Sequence, residues 1–373
     1  MAPYDLDELR GLSLARQFPE LEGRDADAVV AAVARIGPIQ SQTARSPYVG
    51  LAARLPGVTH EAVTDAYESW RIVRGSNIRG TVHTSTPDHQ AALDATTRTA
   101  QRTLWRRFLR LDHTELEDVW AAIEAYAADE WRSPAELTTF LTAWLDQHGE
   151  SESVVRMDNQ AGRYFSFGHG GLLRRPLKGE WSGQGSPGYR TATRVLPDRS
   201  VPDDPVLEAV RIHVASYGPA SRQDVAWWSG LGLRQVDVLL ERLDPSWCEG
   251  PDGRAYADLP GSAAAREVPG VRLLPEFDAV LCGYDPRARG RFVSDADNDV
   301  LWHRANGLML APVLVDGRIR GHWRWEGSGR TRTLAVTCFP GARRLRKAEV
   351  ADAAAALATA LGLTLAGVTT TRL

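Results

Sequence analysis

VLEAVRIHVASYGPASRQDVAWWSGLGLRQVDVLLERL, residues 206–243, is the stretch on which the reading of the fold turns. Apolar residues recur at helical spacing over 207–217, and Gly218-Pro219 stops the run. Ser221 stands where an N-cap is needed, because its hydroxyl can accept from an orphan amide of a helix running to Trp228. Ser229-Gly230-Leu231-Gly232 supplies a tight turn, and 233–243 reads as the next helix. Helix, glycine-containing turn and helix make a helix-turn-helix, and Asp252-Gly253 marks a hairpin turn after it, the wing.

Working outward, looser copies of this unit appear on the N-terminal side. In the middle of the chain 116–131 has helical spacing, Ser133-Pro134 reads as N-cap and first helical position, and a second helix follows over 138–148. Tyr164-Phe165-Ser166-Phe167, then Gly168-His169-Gly170-Gly171, then Leu172-Leu173-Arg174-Arg175 predict a hairpin over 163–178 with a basic second arm. The first unit has a helix over 25–36 ended by Gly37 and Pro38, a shorter one over 61–70, and a Val- and Thr-rich stretch over 78–86. Past Arg272 the character changes to short strand-like runs at 271–274, 280–281, 310–315, 319–325 and 333–336, closed by a helix over 347–361 and a last strand. The Pro- and Asp-rich stretch 197–205 is the linker candidate. The expectation is an α+β chain of three tandem winged helix-turn-helix units, at 1–95, 96–200 and 201–270. A separate β-rich, barrel-like C-terminal domain over 271–373 completes it.

Composition narrows the function. The 373 residues are 43% hydrophobic and 24% charged, which fits packed domains and excludes a disordered chain. The N-terminus has no apolar run, and the longest such stretch, at 353–368, is broken by Gly362 and Gly367, so neither a signal peptide nor a membrane span is expected. Three cysteines, Cys248, Cys282 and Cys338, lie far apart, pointing to a reducing cytoplasm and offering no zinc spacing. A net charge of −3 argues against a protein that simply coats nucleic acid, yet the cations are clustered. Arg98, Arg102, Arg106 and Arg110 recur every four residues with no acid between them, a stripe fit to follow phosphates if helical. From Val154 to Arg194 seven basic residues face only Asp158 and Glu180, and RRLRK over 343–347 is a third concentration.

Standard catalytic machinery is missing. There is no P-loop or dinucleotide fingerprint, the histidines show no paired ligand spacing, and Asp295, Asp297 and Asp299 read as a polar loop because Val300 stands where a calcium loop needs glycine. The segment that stands out is IGPIQSQTA, residues 36–44. Pro38 stops the preceding helix, so Gln40 and Gln42 fall in or after a forced bend, and in extended backbone they would present two amides on one side.

With RGTVHTSTPDH (79–89), LLPEFDAVLCGY (273–284) and NGLMLAPVLVDGRIRGHWRW (306–325), this segment resembles the winged-helix DNA glycosylases of the AlkZ/YcaQ type over nearly the whole chain. The resemblance implies a monofunctional glycosylase that hydrolyses the N-glycosidic bond of cationic N7-alkylated purines, bulky or crosslinked, as in alkylation repair or antibiotic self-resistance. Gln40 and Gln42 fall on the polar positions of that family's Gln-aliphatic-Gln catalytic motif, while Ser41 departs from its aliphatic centre. The second glutamine places the chain nearer AlkZ than YcaQ. Duplex DNA is the implied partner, bound by a monomer without cofactor or metal. Arg98, Arg102, Arg106 and Arg110 would then be phosphate contacts. Arg163, His169, Arg174, Arg175 and Lys178 on the basic hairpin would press on a groove, and His83 would position DNA or substrate. The alternatives are a winged-helix transcription regulator, for which the mixed charges Arg234, Asp237, Glu241 and Arg242 on the third-unit helix are a poor groove reader, and an enzyme that modifies the toxin itself.

Overall fold

The computed structural model describes residues 3–303 and 307–373; Asn306, which opens one of the resembling stretches, lies outside them. A first helix, α1 (Leu6–Gln17), is capped by Asp5. Helix α2 (Ala26–Ile36) is capped by Asp25 and ends at Gly37, whose φ of 78° is the left-handed conformation glycine adopts without strain. Then follow the short strand β1 (Ile39–Gln40), helices α3 (Ser46–Arg54) and α4 (His60–Glu68), and the hairpin of β2 (Val73–Asn77) and β3 (Thr81–Ser85), which lie in the order β1-β3-β2 within a five-stranded sheet that the second passage completes.

Two further passages follow a similar order, the second with a single bridge in place of the short strand and three helices before its hairpin. In the second, α5 (Pro87–Leu109) leads into α6 (Leu116–Tyr126), and Arg132 pairs as a single bridge with Tyr189. Helices α7 (Pro134–Gln147), α8 (Ser151–Arg156) and α9 (Gln160–Phe165) precede the hairpin of β4 (Leu172–Pro176) and β5 (Pro187–Thr191), which runs into α10 (Ala192–Val195). In the third, α11 (Pro205–Tyr217), β6 (Ala220–Ser221), α12 (Arg222–Ser229) and α13 (Leu233–Arg242) are followed by β7 (Ser246–Glu249) and β8 (Ala255–Asp258), with order β6-β8-β7. Ser221 and Asp224 form the capping box of α12, and Gly230 ends it in the left-handed region.

The C-terminal part begins with β9 (Val271–Leu273), α14 (Ala279–Cys282), α15 (Asp295–Leu301) and the small pair β10 (Trp302–His303) and β11 (Leu308–Met309). Strands β12 (Ala311–Val315), β13 (Arg318–Glu326) and β14 (Thr331–Cys338) follow, then helix α16 (Lys347–Ala360) and strand β15 (Thr364–Arg372). The sheet runs β15-β14-β13-β12-β9 and is an open, curled half-barrel, so the barrel expected here does not close.

Five further expectations are corrected. The residues 280–281, read as a strand, lie in α14, and the aspartates read as a loop form α15 with Ser294 as its cap. The hairpin expected over 163–178 has no first arm, because Asn159 caps a helix there. The basic strand β4 pairs instead with β5, further along the chain. Helix α5 runs unbroken through the boundary expected at 95/96. Nor is 271–373 separate, because its sheet cannot cover its own face: Leu273, Val313 and Trp323, with Val350 and Leu357 of α16, share one core with Val33, Tyr48, Leu51 and Val63 of the first unit.

A buried polar hub locks these parts together. Arg54 donates through both Nη atoms to Asp278 at 2.9 Å, and both side chains are 2% exposed. Arg54 also donates to the Gln17 side-chain oxygen at 2.9 Å, and the Gln17 NH2 donates to the carbonyls of Ile36 and Ser216 at 2.9 and 2.8 Å. Breaking a buried ion pair from one side leaves an unmatched charge. Asp278→Ala is therefore expected to cost about 3–5 kcal/mol in urea unfolding; a loss under about 1 kcal/mol would show that the hub is dispensable.

Candidate active site

The segment bearing the two glutamines is built by a bend and a strand. After Gly37 and Pro38, β1 pairs antiparallel with β3, setting Ile39 opposite Thr84 and Gln40 opposite His83. The Tyr217 hydroxyl donates to the Pro38 carbonyl at 3.0 Å, so the third unit braces the bend. The Ser41 amide continues the pairing by donating to the Val82 carbonyl at 2.7 Å. Gln40 is half-buried and Gln42 exposed.

Each amide is oriented by a donor on the protein. Arg79 Nη2 donates to Gln40 Oε1 at 3.1 Å, and its Nη1 to the Trp228 carbonyl at 2.8 Å. The Val82 N–H donates to Gln42 Oε1 at 3.4 Å. Guanidinium and backbone N–H only donate, so these contacts fix which end of each amide is oxygen and turn the NH2 groups outward. One lone pair on each oxygen stays available.

The glutamines face different hollows. Gln40 lines a small one with Arg79, His83, Trp228, Phe277 and Cys282. Gln42 lines another small one with Arg74, Arg174, Arg175 and Trp181, beneath the tip of the β4–β5 hairpin. A larger cavity, about 780 Å³, lies away from both, between α3, β9 and α16. Its rim residue Arg343 is held by Asp316 and Glu349, and it contains no part of the glutamine motif. Arg79 and Phe277, on the Gln40 hollow, have φ of 56° and 60°. Non-glycine residues hold that conformation only where their surroundings enforce it, and such strain concentrates at working sites.

Ser41 is buried between the glutamines within a chain of hydrogen bonds. Arg74 Nη2 donates to the Tyr67 hydroxyl at 3.1 Å, Tyr67 pairs with Thr84, Thr84 with Ser41 at 2.8 Å, and Ser41 with the Ile39 carbonyl at 2.8 Å. A donor-only group at one end and an acceptor-only group at the other give every hydroxyl between them one donated and one accepted bond. This is why a polar residue is tolerated at the centre of the motif.

The remaining sequence candidates disperse. The stripe is helical through Arg106, with Arg110 capping α5 in the left-handed region, but neutralised: Arg98 pairs with Asp94 and Glu124, Arg102 with Glu117, Arg106 with Glu115 at 2.9 Å, and Arg110 with Glu152 at 2.7 Å. Burial works against the charge of Arg98, yet Asp94 and Glu124 raise its pKa above the ordinary value. To bind phosphate, each arginine of the stripe would have to exchange a carboxylate for it. Arg163 is exposed on α9, and Lys178 is exposed past the end of β4. His169 is 1% exposed against Trp105, so it lies in the core and not on a DNA-facing hairpin. Burial, with the charge of Arg98, depresses its pKa far below 6.5. Its Nδ1 accepts from the Gly171 amide at 3.2 Å, so its 3.8 Å approach to Glu124 is no ion pair. Arg74, Arg79 and Phe277 were not singled out in sequence. Arg79 lies within the quoted 79–89 stretch, whereas nothing in the sequence marks Arg74.

His83 is 2% exposed, and its Nδ1 faces the Thr81 carbonyl at 3.1 Å, so that nitrogen carries the proton and Nε2 is an acceptor. Burial, helped by the charge of Arg79, holds its pKa down at about 3, and burial holds that of His213 at about 4. Both regain ordinary values near 6.5 on unfolding, so below that pH the unfolded chain binds more protons than the folded one. Stability is expected to be full above pH 7 and to fall on acidification toward pH 4, by about 1.4 kcal/mol per pH unit for each histidine. Thermal unfolding between pH 8 and 5 checks this, and His83→Gln should flatten the acid slope. An unchanged slope would assign acid sensitivity to other groups.

The family model described as DNA glycosylase AlkZ-like matches residues 33–360. No curated protein matches the sequence. Among solved structures the chain is similar to the Streptomyces sahachiroi DNA glycosylase AlkZ, with a TM-score of 0.78 over 99% of this chain and 100% of that one. At 20% identity this is a likeness of fold. With the family match spanning most of its length, the chain belongs to the AlkZ-like DNA glycosylase family.

Proposed function

We propose that this glycosylase acts without a lyase step on purines made cationic by N7 alkylation, bulky adducts included, with Gln40 and Gln42 positioning the water. The observation that carries the reading is the lining of the Gln40 hollow, which among the described residues includes no lysine, aspartate or glutamate. No amine there can form a Schiff base, and no carboxyl can protonate a leaving base. The base must therefore leave unaided, and a purine alkylated at N7 already carries the positive charge that makes it depart. Departure builds positive charge on the sugar, as in other oxocarbenium-like reactions. The free lone pair of an oriented glutamine oxygen can hold the attacking water and face that charge. A neutral His83 fits the same requirement, since a protonated imidazole would repel a cationic base. Arg79, the nearby cation, directs its donors to the Gln40 oxygen and the Trp228 carbonyl.

We read the three repeats as winged-helix units that cradle duplex DNA around a monomer. The regulator alternative gains little from α13, where Asp237 is paired with Arg222 and Arg242 with Asp204. Base release from duplex DNA containing N7-methylguanine, or a bulkier N7 adduct, tests the proposal. Gln40→Ala and Gln42→Ala should each lower kcat by about 10²–10³, the usual cost of one preorganised polar group, and borohydride should trap no enzyme–DNA adduct. Full activity in both variants, or a trapped adduct, would refute the mechanism. No release of either adduct by a protein that binds undamaged duplex tightly would refute the activity.

A further inference from the structure

Buried arginines in this chain generally face carboxylates: Arg16 meets Asp258, Arg54 meets Asp278, and Arg291 meets Asp224. Arg74 is 4% exposed, and among the described residues no carboxylate lies within ion-pair distance of it. Its guanidinium donates to the carbonyls of Trp181 and Ala44 at 3.2 and 3.0 Å and to the Tyr67 hydroxyl at 3.1 Å. It lies against the rings of Tyr67 and Trp181, at 4.9 and 5.7 Å, and its Nε–H has no acceptor. A buried cation held by neutral dipoles and ring faces alone is costly to keep.

The same hollow gathers two more such cations. Arg175 rests on the stacked rings of Trp70 and Trp131, at 5.9 and 5.5 Å, and Arg174 is half-buried beside it; neither forms an ion pair with a described residue. The fourth polar wall is Gln42, whose oxygen is engaged by Val82 and whose N–H groups are left to donate. Three arginines and the amides of Gln42 and Gln184 on the lining of one hollow, with no acid among its residues, make a receptor for a compact oxyanion.

We infer that this hollow seats one backbone phosphate of the damaged strand, held by Arg74, Arg174 and Arg175, with the Gln42 amide completing the ring. That the phosphate belongs to DNA rests on the glycosylase reading, whereas the anion chemistry does not. Two residues of chain span at most about 7 Å, so the phosphate lies within about one nucleotide of the sugar that Gln40 would face. The chain from Arg74 through Tyr67 and Thr84 to Ser41 ties this anchor to the backbone between the glutamines. Seating the phosphate would thereby set the register of the reacting sugar.

The test replaces single phosphates by methylphosphonates, one at a time, within three nucleotides of an N7-methylguanine, and reads affinity by fluorescence anisotropy. The native protein should lose about tenfold in affinity at one position within a nucleotide of the lesion, the scale of one charge-assisted contact. Arg174→Ala should lose about tenfold on the all-phosphate duplex and lose nothing more when that one position is neutralised. Arg74→Met should behave alike, with circular dichroism reporting its folding; should it not fold, Arg174→Ala and Arg175→Ala decide. Additive losses at every position would overturn the assignment. So would a flat scan, including one in which inorganic phosphate raises the Tm of the native protein but not of Arg174→Ala. Since anisotropy reads binding whether or not the base is released, absence of base release would refute the glycosylase reading and leave this test intact.

Discussion

The arrangement of the site depends on one buried contact, the two-pronged pair between Arg54 and Asp278 with Gln17 bound to it. Through Gln17 the hub reaches the carbonyl of Ile36, at the end of the helix before the glutamine segment, and that of Ser216 in the third unit. Through Asp278 it fixes the turn that carries Phe277 to the Gln40 hollow. Four separated parts of the sequence are thus held to one point. Packing alone would allow them to slide, because apolar contact is non-directional, whereas a fully satisfied polar network tolerates one arrangement.

Given that frame, the short strand β1 makes the motif useful. A helix continued past Ile36 would have swung the two glutamines about 200 degrees apart. The strand places Gln40 against His83, and pairing lapses after Ser41, so Gln42 turns to the neighbouring hollow. The two amides are chemically alike and stand in unlike surroundings. Gln40 has a strained, largely dry wall with neutral histidine, and Gln42 has guanidiniums.

What was legible in the sequence was what local chemistry decides. Ser133 and Ser221 each cap the helix their positions suggested, and Gly37 with Pro38 ends α2 at the glutamines. The site was half legible: the glutamine motif could be located, but the groups that orient it could not. Arg79 comes from the β2–β3 turn, Trp228 from α12 and Phe277 from beyond the third unit, and no spacing rule joins them. The arginine stripe shows the same limit from the other side. Its partners Glu115, Glu117, Glu124 and Glu152 lie on α6, α8 and the turn before α6, so a run that is purely basic along the chain is balanced in space. The expected hairpin over 163–178 failed for a related reason: aromatic alternation suits a strand, but Tyr164 and Phe165 bury equally well from a short helix capped by Asn159.

Sorting of charge also explains how a chain of net −3 can handle DNA at all. A uniformly acidic surface would repel the duplex, and a uniformly basic one would bind any sequence without bringing a lesion to the glutamines. Here carboxylates cancel the conspicuous arginines on α5, whereas Arg74, Arg174 and Arg175 are left uncancelled. Attraction is therefore concentrated beside Gln42. In the proposed reaction the adjacent hollow would admit a base that is itself cationic; it keeps its histidine neutral and binds its one arginine to an amide and a carbonyl. Anion-seeking and cation-tolerant surfaces a few ångströms apart match the two charges that an alkylated nucleotide carries, on its phosphate and on its base.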